Sequence, residues 1–380
     1  MNLFTLFGLS VLLNAYIGAR LLPDQVSFPP GQLPLAVVLA LCALVMPLGL
    51  VARRIARPVL AGMLSWAGLL CMGLFSSLLV LTLARDVLLG GIWLAEWLAP
   101  EGLALAYWKT ASAQGVPVLA ALVTLLGFVN ARRTAAVVRV DVPIAGLPQS
   151  WHGFSVAQIS DVHVGPTIRN GYVRRIVDKV NALEADLVAI TGDLVDGGVQ
   201  ELAAQVAPLA DLRSRHGTFF VTGNHEYYSG ANAWIGELRR LGLTVLLNEH
   251  VVFEAPAGAP LVLAGVTDFG AAAFDAAHRS DPAAALRGAP PDAVCVLLAH
   301  QPRSAAAAAS AGFHLQLSGH THGGQFYPWN LFVRFQQPFT AGLRKWEKLW
   351  VYTSRGTGYW GPPKRFGAPS EITYLRLVAA

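Results

Sequence analysis

The sequence predicts an α/β layered domain preceded by an all-α transmembrane region. Two observations support this division. Residues 1–134 consist mainly of long apolar runs with few charges, whereas residues 135–380 alternate short apolar strands with helical stretches. The whole chain of 380 residues is 54% hydrophobic and 13% charged, well below the roughly 25% of charged residues in soluble domains. We therefore expect a membrane protein whose polar chemistry lies in residues 135–380.

Four apolar runs predict about four transmembrane helices, at residues 3–19, 33–52, 59–84 and about 116–131. A helix needs about 20 residues to cross a hydrocarbon core of about 30 Å, and the fourth run is marginal by that measure. Three spans are therefore the competing count. The first run could instead be a cleaved signal, but no basic residue precedes it and further spans follow. Residues 87–98 are expected to form an interfacial helix or a plain loop.

The basic residues predict the orientation of the chain in the cell (inner) membrane. Basic residues collect on the cytoplasmic side, and with four spans one side holds six of them and the other three. The six are Arg53, Arg54, Arg57, Arg132, Arg133 and Arg139, and the three are Arg20, Arg85 and Lys109. We therefore expect residues 135–380 in the cytoplasm, whereas a count of three spans would place them outside. Beyond residue 139 the charges balance, so nucleic acid is not an expected partner.

From residue 136 onward, nine short apolar segments predict β-strands and three stretches between them predict helices. The strands are expected at residues 136–142, 154–160, 187–191, 218–222, 261–264, 293–299, 315–318, 349–353 and 371–378. The helices are expected at residues 170–183, 199–212 and 231–241, and an alanine-rich run at residues 304–311 is expected to be a further short helix. This alternation is typical of a layered α/β domain.

Five short polar motifs follow predicted strands in this domain. They are Asp161-Val162-His163, Gly192-Asp193, Gly223-Asn224-His225-Glu226, His300 and Gly319-His320-Thr321-His322. Because open α/β sheets collect their functional groups at the carboxyl ends of strands, we expect these motifs to converge. Residues two apart in an extended segment point to the same face, so each Asp-x-His or His-x-His pair can bind one ion. A carboxylate such as that of Asp193 can bridge two ions.

Each motif alone has a plainer explanation. A Gly-Asp pair is more often a turn, and a lone histidine at a strand end such as His300 is more often a hydrogen-bonded core residue. Gly-His-Thr-His-Gly-Gly is the most specific single segment, since its glycines allow close approach of the backbone. The five motifs together predict a two-metal site.

The order of these motifs resembles the calcineurin-like metallophosphoesterase superfamily, and residues 137–378 resemble its bacterial membrane-associated branch. The resemblance implies a sandwich of two β-sheets flanked by helices. It also implies two sets of metal ligands that share Asp193, and a role for His225 near the phosphate as an acid or electrostatic stabiliser. The implied ligands are Asp161, His163, Asp193 and His322 for one metal, and Asp193, Asn224, His300 and His320 for the other.

The mixed carboxylate, imidazole and amide ligands suit Mn, Fe or Zn, and we expect two divalent ions, with Mn first among them. Two such ions about 3.5 to 4 Å apart can activate a water and clamp a phosphoryl group. Asp196 and Glu226 are candidates to orient the ligand imidazoles. Both could equally be helix caps or surface acids.

Residues 325–350 interleave nine aromatic or aliphatic residues with Arg and Lys next to the last motif, which would suit an amphipathic ligand at a membrane surface. The alternative is a small core packed against the membrane helices. A membrane anchor favours a phosphodiesterase or pyrophosphatase acting on a lipid-linked phosphate, such as UDP-diacylglucosamine. The alternative functions are a general phosphodiesterase or phosphatase on soluble nucleotides and a non-catalytic membrane sensor of metal or phosphate.

Overall fold

The computed structural model describes residues 2–25, 29–52, 55, 57–99, 105–255 and 257–380. The chain divides into two compact units. The helical unit comprises Met1–Val129 and Gly361–Phe366, and the α/β unit comprises Asn130–Trp360 and Gly367–Ala380. The first division falls five residues before the predicted one, and the grouping of Gly361–Phe366 with the helices has no counterpart in the sequence pattern. Arg53 and Arg54, which support the predicted orientation, lie outside the described residues.

Four helices in the described residues are long and apolar enough to cross a membrane, which agrees with the predicted number of spans. They are α1 (Leu3–Leu21), α2 (Pro29–Val51), α3 (Pro58–Leu98) and α4 (Leu105–Arg132). The prediction of a separate interfacial helix or a loop at residues 87–98 is wrong, because this stretch continues α3. It contains no proline, and Gly90 and Gly91 lower the helix propensity without ending the helix.

The helical unit is held by close helix contacts and by hydrogen bonds of a buried lysine. Gly49 of α2 and Gly68 of α3 pack so closely that a Cβ on Gly49 would lie 2.7 Å from the Cα of Gly68. Small residues at such crossings allow membrane helices to approach. In the inserted segment, the buried side chain of Lys364 donates to the carbonyl of Gly73 at 2.8 Å and to the hydroxyl of Ser77. The segment Gly361–Phe366 is therefore bound to α3 by the side chain of Lys364.

The α/β unit contains two sheets, as the family resemblance implied, each of six strands, in the orders β1-β12-β2-β3-β4-β5 and β10-β11-β9-β8-β7-β6. The strands are β1 (Ala136–Ile144), β2 (Ser155–Ile159), β3 (Leu187–Ile190), β4 (Thr218–Phe220), β5 (Thr244–Val245), β6 (Glu249–Phe253), β7 (Leu261–Gly265), β8 (Val294–Leu298), β9 (Leu315–Ser318), β10 (Gly342–Trp346), β11 (Leu349–Thr353) and β12 (Glu371–Ala379). The helices are α5 (Asn170–Asn181), α6 (Val199–Val206), α7 (Asn224–Ser229), α8 (Ala231–Arg240), α9 (Pro282–Ala285), α10 (Ala305–Ala311) and α11 (Asn330–Val333).

The strands that carry the polar motifs are fully buried, β4 among them. Every residue of β2, β3, β8 and β9 is buried. Parallel strands covered on both faces are largely apolar, which is why the sequence indicated them, although β2 and β9 also bury Gln158 and Gln316. β2 is parallel to β3, and β3 to β4, while β8 is parallel to β7 and β9. Their carboxyl ends therefore carry the polar motifs out of the two sheets.

Candidate metal centre

The structure places every predicted site residue just beyond the carboxyl end of a strand. Asp161 and His163 follow β2, Asp193 follows β3, Asn224 and His225 follow β4, His300 follows β8, and His320 and His322 follow β9. Both sheets thus contribute ligand candidates, three motifs from the first sheet and two from the second. This arrangement explains why five segments distant in sequence reach one centre.

The backbone at this centre is unusual. Five of the candidate residues are non-glycine residues with positive φ, between 51° and 70°. They are Asp161, His163, Asp193, His320 and His322. Residues held in this region cost about 1 to 3 kcal/mol each and persist where the surrounding fold imposes them, often at functional sites. The left-handed turns allow two side chains of one loop to point into the same centre.

Two glycines permit the close approach of these loops. A Cβ on Gly319 would lie 2.1 Å from Oδ2 of Asp161, and a Cβ on Gly223 would lie 2.3 Å from Oδ1 of Asp193. Any larger residue at either position would collide with a ligand candidate. The glycines of the two motifs are therefore required by the geometry of the carboxylates beside them.

The first group of metal-ligand candidates is Asp161, His163 and His322. Each offers one ligand atom, and these three atoms lie within 4.8 Å of one another. The Nε2 atoms of His163 and His322 are 3.0 Å apart. Nε2 of His322 lies 3.6 Å from Oδ1 of Asp161. Two imidazole nitrogens that face each other at this distance, beside a carboxylate, form a set of ligands for one cation.

The second group comes from Asp193, His300 and His320. Nε2 of His300 lies 3.1 Å from Oδ2 of Asp193 and 3.2 Å from Nδ1 of His320. Nδ1 of His300 lies 2.7 Å from the carbonyl oxygen of Thr191, which can only accept, so Nε2 is the nitrogen directed to the centre. Burial and the charge of His300 lower the pKa of His320 to about 3, which leaves a neutral imidazole with a free lone pair.

Asp193 connects the two groups. Its Oδ2 lies 3.9 Å from Nε2 of His163 in the first group and 4.0 Å from Nε2 of His225. The buried Oδ1 of Asn224 accepts no hydrogen bond from the described residues. A buried carbonyl oxygen without a donor is costly, and a cation would satisfy it. The donors and this unpaired oxygen fit two divalent ions that share Asp193.

Asp196 orients two imidazoles. Its Oδ1 lies 3.0 Å from Nδ1 of His163 and 2.5 Å from Nδ1 of His225. A carboxylate accepts, so both Nδ1 atoms donate and both Nε2 atoms face the centre. Burial lowers the pKa of His163, but the charge and hydrogen bond of Asp196, together with the charges of Asp193 and Asp161, outweigh burial and raise that pKa to about 9. Of the two explanations open for Asp196, imidazole orientation fits the structure.

Glu226 has a different role. Its carboxylate accepts from the backbone N–H groups of Asp193 at 3.0 Å, Leu194 at 2.8 Å and Gly223 at 2.6 Å. It therefore joins the Asp193 loop to the start of α7, and within the described part of the chain it makes no hydrogen bond to a ligand imidazole. Burial raises the pKa of Glu226 to about 7, and the charge of Asp193 adds to the effect. The cap explanation, not imidazole orientation, applies to this residue.

Sequence reasoning missed two aromatic residues beside His225. The Tyr228 ring lies 5.2 Å from the His225 ring and the Trp360 ring lies 5.9 Å from it. Both side chains are exposed, and the backbone of Trp360 makes two hydrogen bonds to the Gln325 amide. Tyr228 follows His225 by one helical turn, which is a weak sequence signal, whereas no signal connects Trp360 to a motif so distant in sequence.

Comparison with known proteins identifies the family. The sequence profile of the calcineurin-like phosphoesterase domain matches residues 154–324. An uncharacterized metallophosphoesterase of Aquifex aeolicus (strain VF5) is 31% identical over 224 residues, which are 58% of this chain and 84% of that protein. The chain belongs to the calcineurin-like phosphoesterase family, which confirms the superfamily that the motifs indicated.

Two longer relatives have a name that mentions both a transmembrane protein and a metallophosphoesterase domain. A cattle (Bos taurus) protein called "Transmembrane protein with metallophosphoesterase domain" is 42% identical over 278 residues, which are 70% of this chain and 63% of that protein. A zebrafish (Danio rerio) protein of the same name is 37% identical over 270 residues, 69% of this chain and 62% of that protein. The chain thus spans less than two thirds of the length of these two relatives. Together with the four apolar helices, they support a membrane location.

Proposed function

We propose that this chain is a membrane-anchored phosphoester hydrolase that works with two divalent cations. The observation that carries the proposal is the pair of donor groups joined by Asp193, with the unpaired Oδ1 of Asn224 beside them. We assign Asp161, His163, Asp193 and His322 to one cation. Asp193, Asn224, His300 and His320 are assigned to the other. Mn is the first choice and Fe or Zn the alternatives, because the donors mix carboxylate, imidazole and amide.

The chain's own residues support hydrolysis. Bound cations would supply Lewis-acid activation of a phosphoryl group and of the attacking water. Asp196 holds Nδ1 of His225, which directs Nε2 of His225 toward the centre, and the His225 side chain is 16% exposed. An imidazole held in this way can donate a proton to a leaving oxygen or stabilise a phosphoryl oxygen. His225 is therefore our candidate for the catalytic acid.

The proposed substrate is a phosphodiester or pyrophosphate at a membrane surface. The four apolar helices favour it, because a soluble substrate needs no anchored enzyme. UDP-diacylglucosamine is one example of this class and serves as a probe. A phosphodiesterase on soluble nucleotides is the second candidate, favoured by the exposed Tyr228 and Trp360 rings, on which a base could stack beside His225.

The proposed orientation places the α/β unit on the cytoplasmic side of the cell membrane. It rests on the greater number of basic residues on that side, including Arg57, Arg132, Arg133 and Arg139. Protease accessibility in inverted and right-side-out membrane vesicles tests this orientation. Cleavage of the α/β unit only in inverted vesicles supports it, and cleavage only in right-side-out vesicles contradicts it.

The first test of the function is hydrolysis by detergent-purified protein with added Mn, Fe or Zn. The substrates are bis-p-nitrophenyl phosphate and UDP-diacylglucosamine, and the control with strongly reduced turnover is His225→Ala. Faster cleavage of the glycolipid supports a membrane-surface substrate, whereas faster cleavage of the soluble diester favours the second candidate. If the wild-type protein cleaves neither substrate with any of the metals, a non-catalytic metal or phosphate sensor becomes the better explanation.

A further inference from the structure

An exposed apolar surface lies directly after the last metal-ligand motif. Around the short helix α11, five large apolar side chains face solvent, and we call them the apolar ridge. They are Tyr327 at 53% exposure, Trp329 at 43%, Leu331 at 55%, Phe332 at 54% and Phe335 at 73%. The Trp329 and Phe332 rings lie 5.9 Å apart, and the Phe332 and Phe335 rings lie 6.3 Å apart. Single exposed apolar residues are ordinary, but a group such as this marks an interaction surface.

The apolar ridge has a fixed shape. At its start, Phe326 is buried and pairs with Gly367, and Gly324 packs so closely on Asn330 that a Cβ there would lie 2.2 Å from the Asn330 Cα. At its end, the buried Gln337 accepts from the backbone of Arg303 at 3.2 Å and donates to Gln301 at 3.1 Å. Contacts at both ends therefore order this segment, and they hold the five apolar side chains exposed to water.

The apolar ridge is also joined to the metal centre. Gly324, which supports α11, is only two residues beyond His322, one of the ligand candidates. Gln325, the next residue, binds the backbone of Trp360, whose ring lies beside His225. The ridge and the rim of the centre thus share one loop, so whatever binds the ridge is brought close to the phosphoester site.

The composition of the apolar ridge fits a lipid surface better than a protein partner. Trp and Tyr prefer the boundary between water and hydrocarbon, and Phe and Leu prefer the hydrocarbon below it. The guanidinium of Arg334 lies over the Phe335 ring at 5.3 Å. If the ring entered the lipid, the charge would stay at the level of the lipid phosphates. The four apolar helices of the same chain keep a bilayer within reach at high effective concentration.

We propose that the apolar ridge inserts into the surface of the bilayer and holds the mouth of the metal centre against the lipid. The consequence for substrate choice rests on the proposed hydrolase function. A phosphoester whose acyl chains stay in the membrane could then reach the centre without leaving the bilayer. The docking itself does not depend on catalysis, so the two can be tested separately.

The docking is tested with a fluorescent label. In a chain with Cys42→Ala, Cys71→Ala and Cys295→Ala, the environment-sensitive dye NBD is attached to a cysteine at Phe332→Cys. The matched control is Asp292→Cys, an exposed residue just before β8 and so at the opposite strand end from His300. Each protein is reconstituted into vesicles of phosphatidylcholine and phosphatidylglycerol that contain lipids spin-labelled near the headgroup.

We expect the label at position 332 to shift to shorter wavelength and to be quenched several-fold more strongly than the label at position 292. Equal quenching at the two positions would overturn the proposal. A shift at position 332 without quenching by lipid would also overturn it, because the surface would then be covered by protein. None of these outcomes depends on enzymatic activity.

The effect on substrate choice is tested with two substrates that share one leaving group. These are bis-p-nitrophenyl phosphate in solution and the p-nitrophenyl diester of phosphatidic acid in vesicles. In the triple variant Leu331→Ser, Phe332→Ser, Phe335→Ser, we expect the ratio of lipid to soluble turnover to fall about tenfold or more. The matched variant Phe332→Leu, Phe335→Leu keeps the surface apolar and should keep the ratio.

An unchanged ratio in the serine variant would overturn the role of the apolar ridge in substrate choice. If the wild-type protein turned over neither substrate, the proposed hydrolase function would instead be contradicted. The label experiment would still decide whether the ridge docks on lipid.

Discussion

The helical unit and the α/β unit both bury charged side chains, but they treat them differently. In the helical unit, the buried guanidinium of Arg85 donates to Asp24, to the hydroxyl of Ser112 at 2.9 Å and to the carbonyl of Arg20 at 2.9 Å. Arg20 in turn pairs with Asp86 at 2.9 Å. Two cations thus face two anions, and the cluster is neutralised by its own members.

The candidate metal centre is not neutralised in this way. The Nε2 atoms of His163 and His322 face each other, and Oδ1 of Asn224 is buried without a hydrogen bond from the described residues. Side-chain donor atoms from several loops thus point at the same space. A closed charge cluster therefore serves stability, whereas an open one needs a ligand from outside.

The largest effect that this comparison predicts is for Asp193→Asn. The substitution keeps the size of the side chain but removes the charge that joins both donor groups. We expect phosphodiester hydrolysis to fall by at least about 1,000-fold, since metal-stabilised transition states depend on several kcal/mol of electrostatic energy. Steady-state rates with bis-p-nitrophenyl phosphate measure the loss. Rates within tenfold of the wild type at saturating metal would show that the two groups do not depend on Asp193.

His225→Ala is expected to be somewhat less severe. A positioned general acid contributes about 100- to 10,000-fold, and His225 contacts the centre without belonging to either assigned set of ligands. We expect kcat to fall within that range while the metal content per chain stays that of the wild type. Measuring metal by mass spectrometry beside the kinetics separates the roles. A parallel loss of metal would make His225 a ligand and not an acid.

Arg85→Met tests the closed cluster. Removing one member of a buried ion pair leaves its partner without a counter-charge and costs about 3 to 5 kcal/mol. Asp24 and Asp86 are partly exposed, with 29% and 23% of their side chains accessible, so we expect the lower end of that range. Unfolding of the detergent-solubilised protein measures this cost, with Arg20→Met, which is 46% exposed, as the milder control. Metal content per folded chain should not change.

The smallest effect is expected from changing the carboxylates that support the ligands. Asp196→Asn weakens the orientation of His163 and His225, and such changes cost about 10- to 100-fold in metal affinity or activity. Glu226→Gln changes backbone contacts only, so it should lower stability by about 1 to 3 kcal/mol and affect kcat less than Asp196→Asn does. Comparing kcat with the unfolding free energy of both variants tests this contrast. A larger kcat loss for Glu226→Gln would contradict the roles assigned above.

Much of the fold was predictable because burial leaves a clear pattern. The strands that carry the motifs are short and mainly apolar, and the four helices are long apolar runs. The three strands that the sequence did not indicate, β5, β6 and β10, all lie at sheet edges. An edge strand is half exposed and admits charged residues, as Arg344 and Lys345 show in β10, so its pattern resembles that of a loop.

The site residues were predictable where they belong to short sequence motifs. Five motifs supplied the ligand candidates, and the structure brings them to one centre. The choice between the two explanations of Asp196 and Glu226 depended on side-chain direction, which spacing alone does not give. Trp360 and the segment Gly361–Phe366 reach their neighbours only through tertiary folding, so the sequence contained no local signal for them.

The most direct test of the two-metal account is the metal content of the purified full chain, measured together with its turnover. The protein is stripped with a chelator, titrated with Mn, and assayed with bis-p-nitrophenyl phosphate at each step. We predict that activity is absent without metal and reaches its maximum as the second ion per chain binds. Full activity in the stripped protein, or saturation of both binding and activity at one ion per chain, would contradict the account.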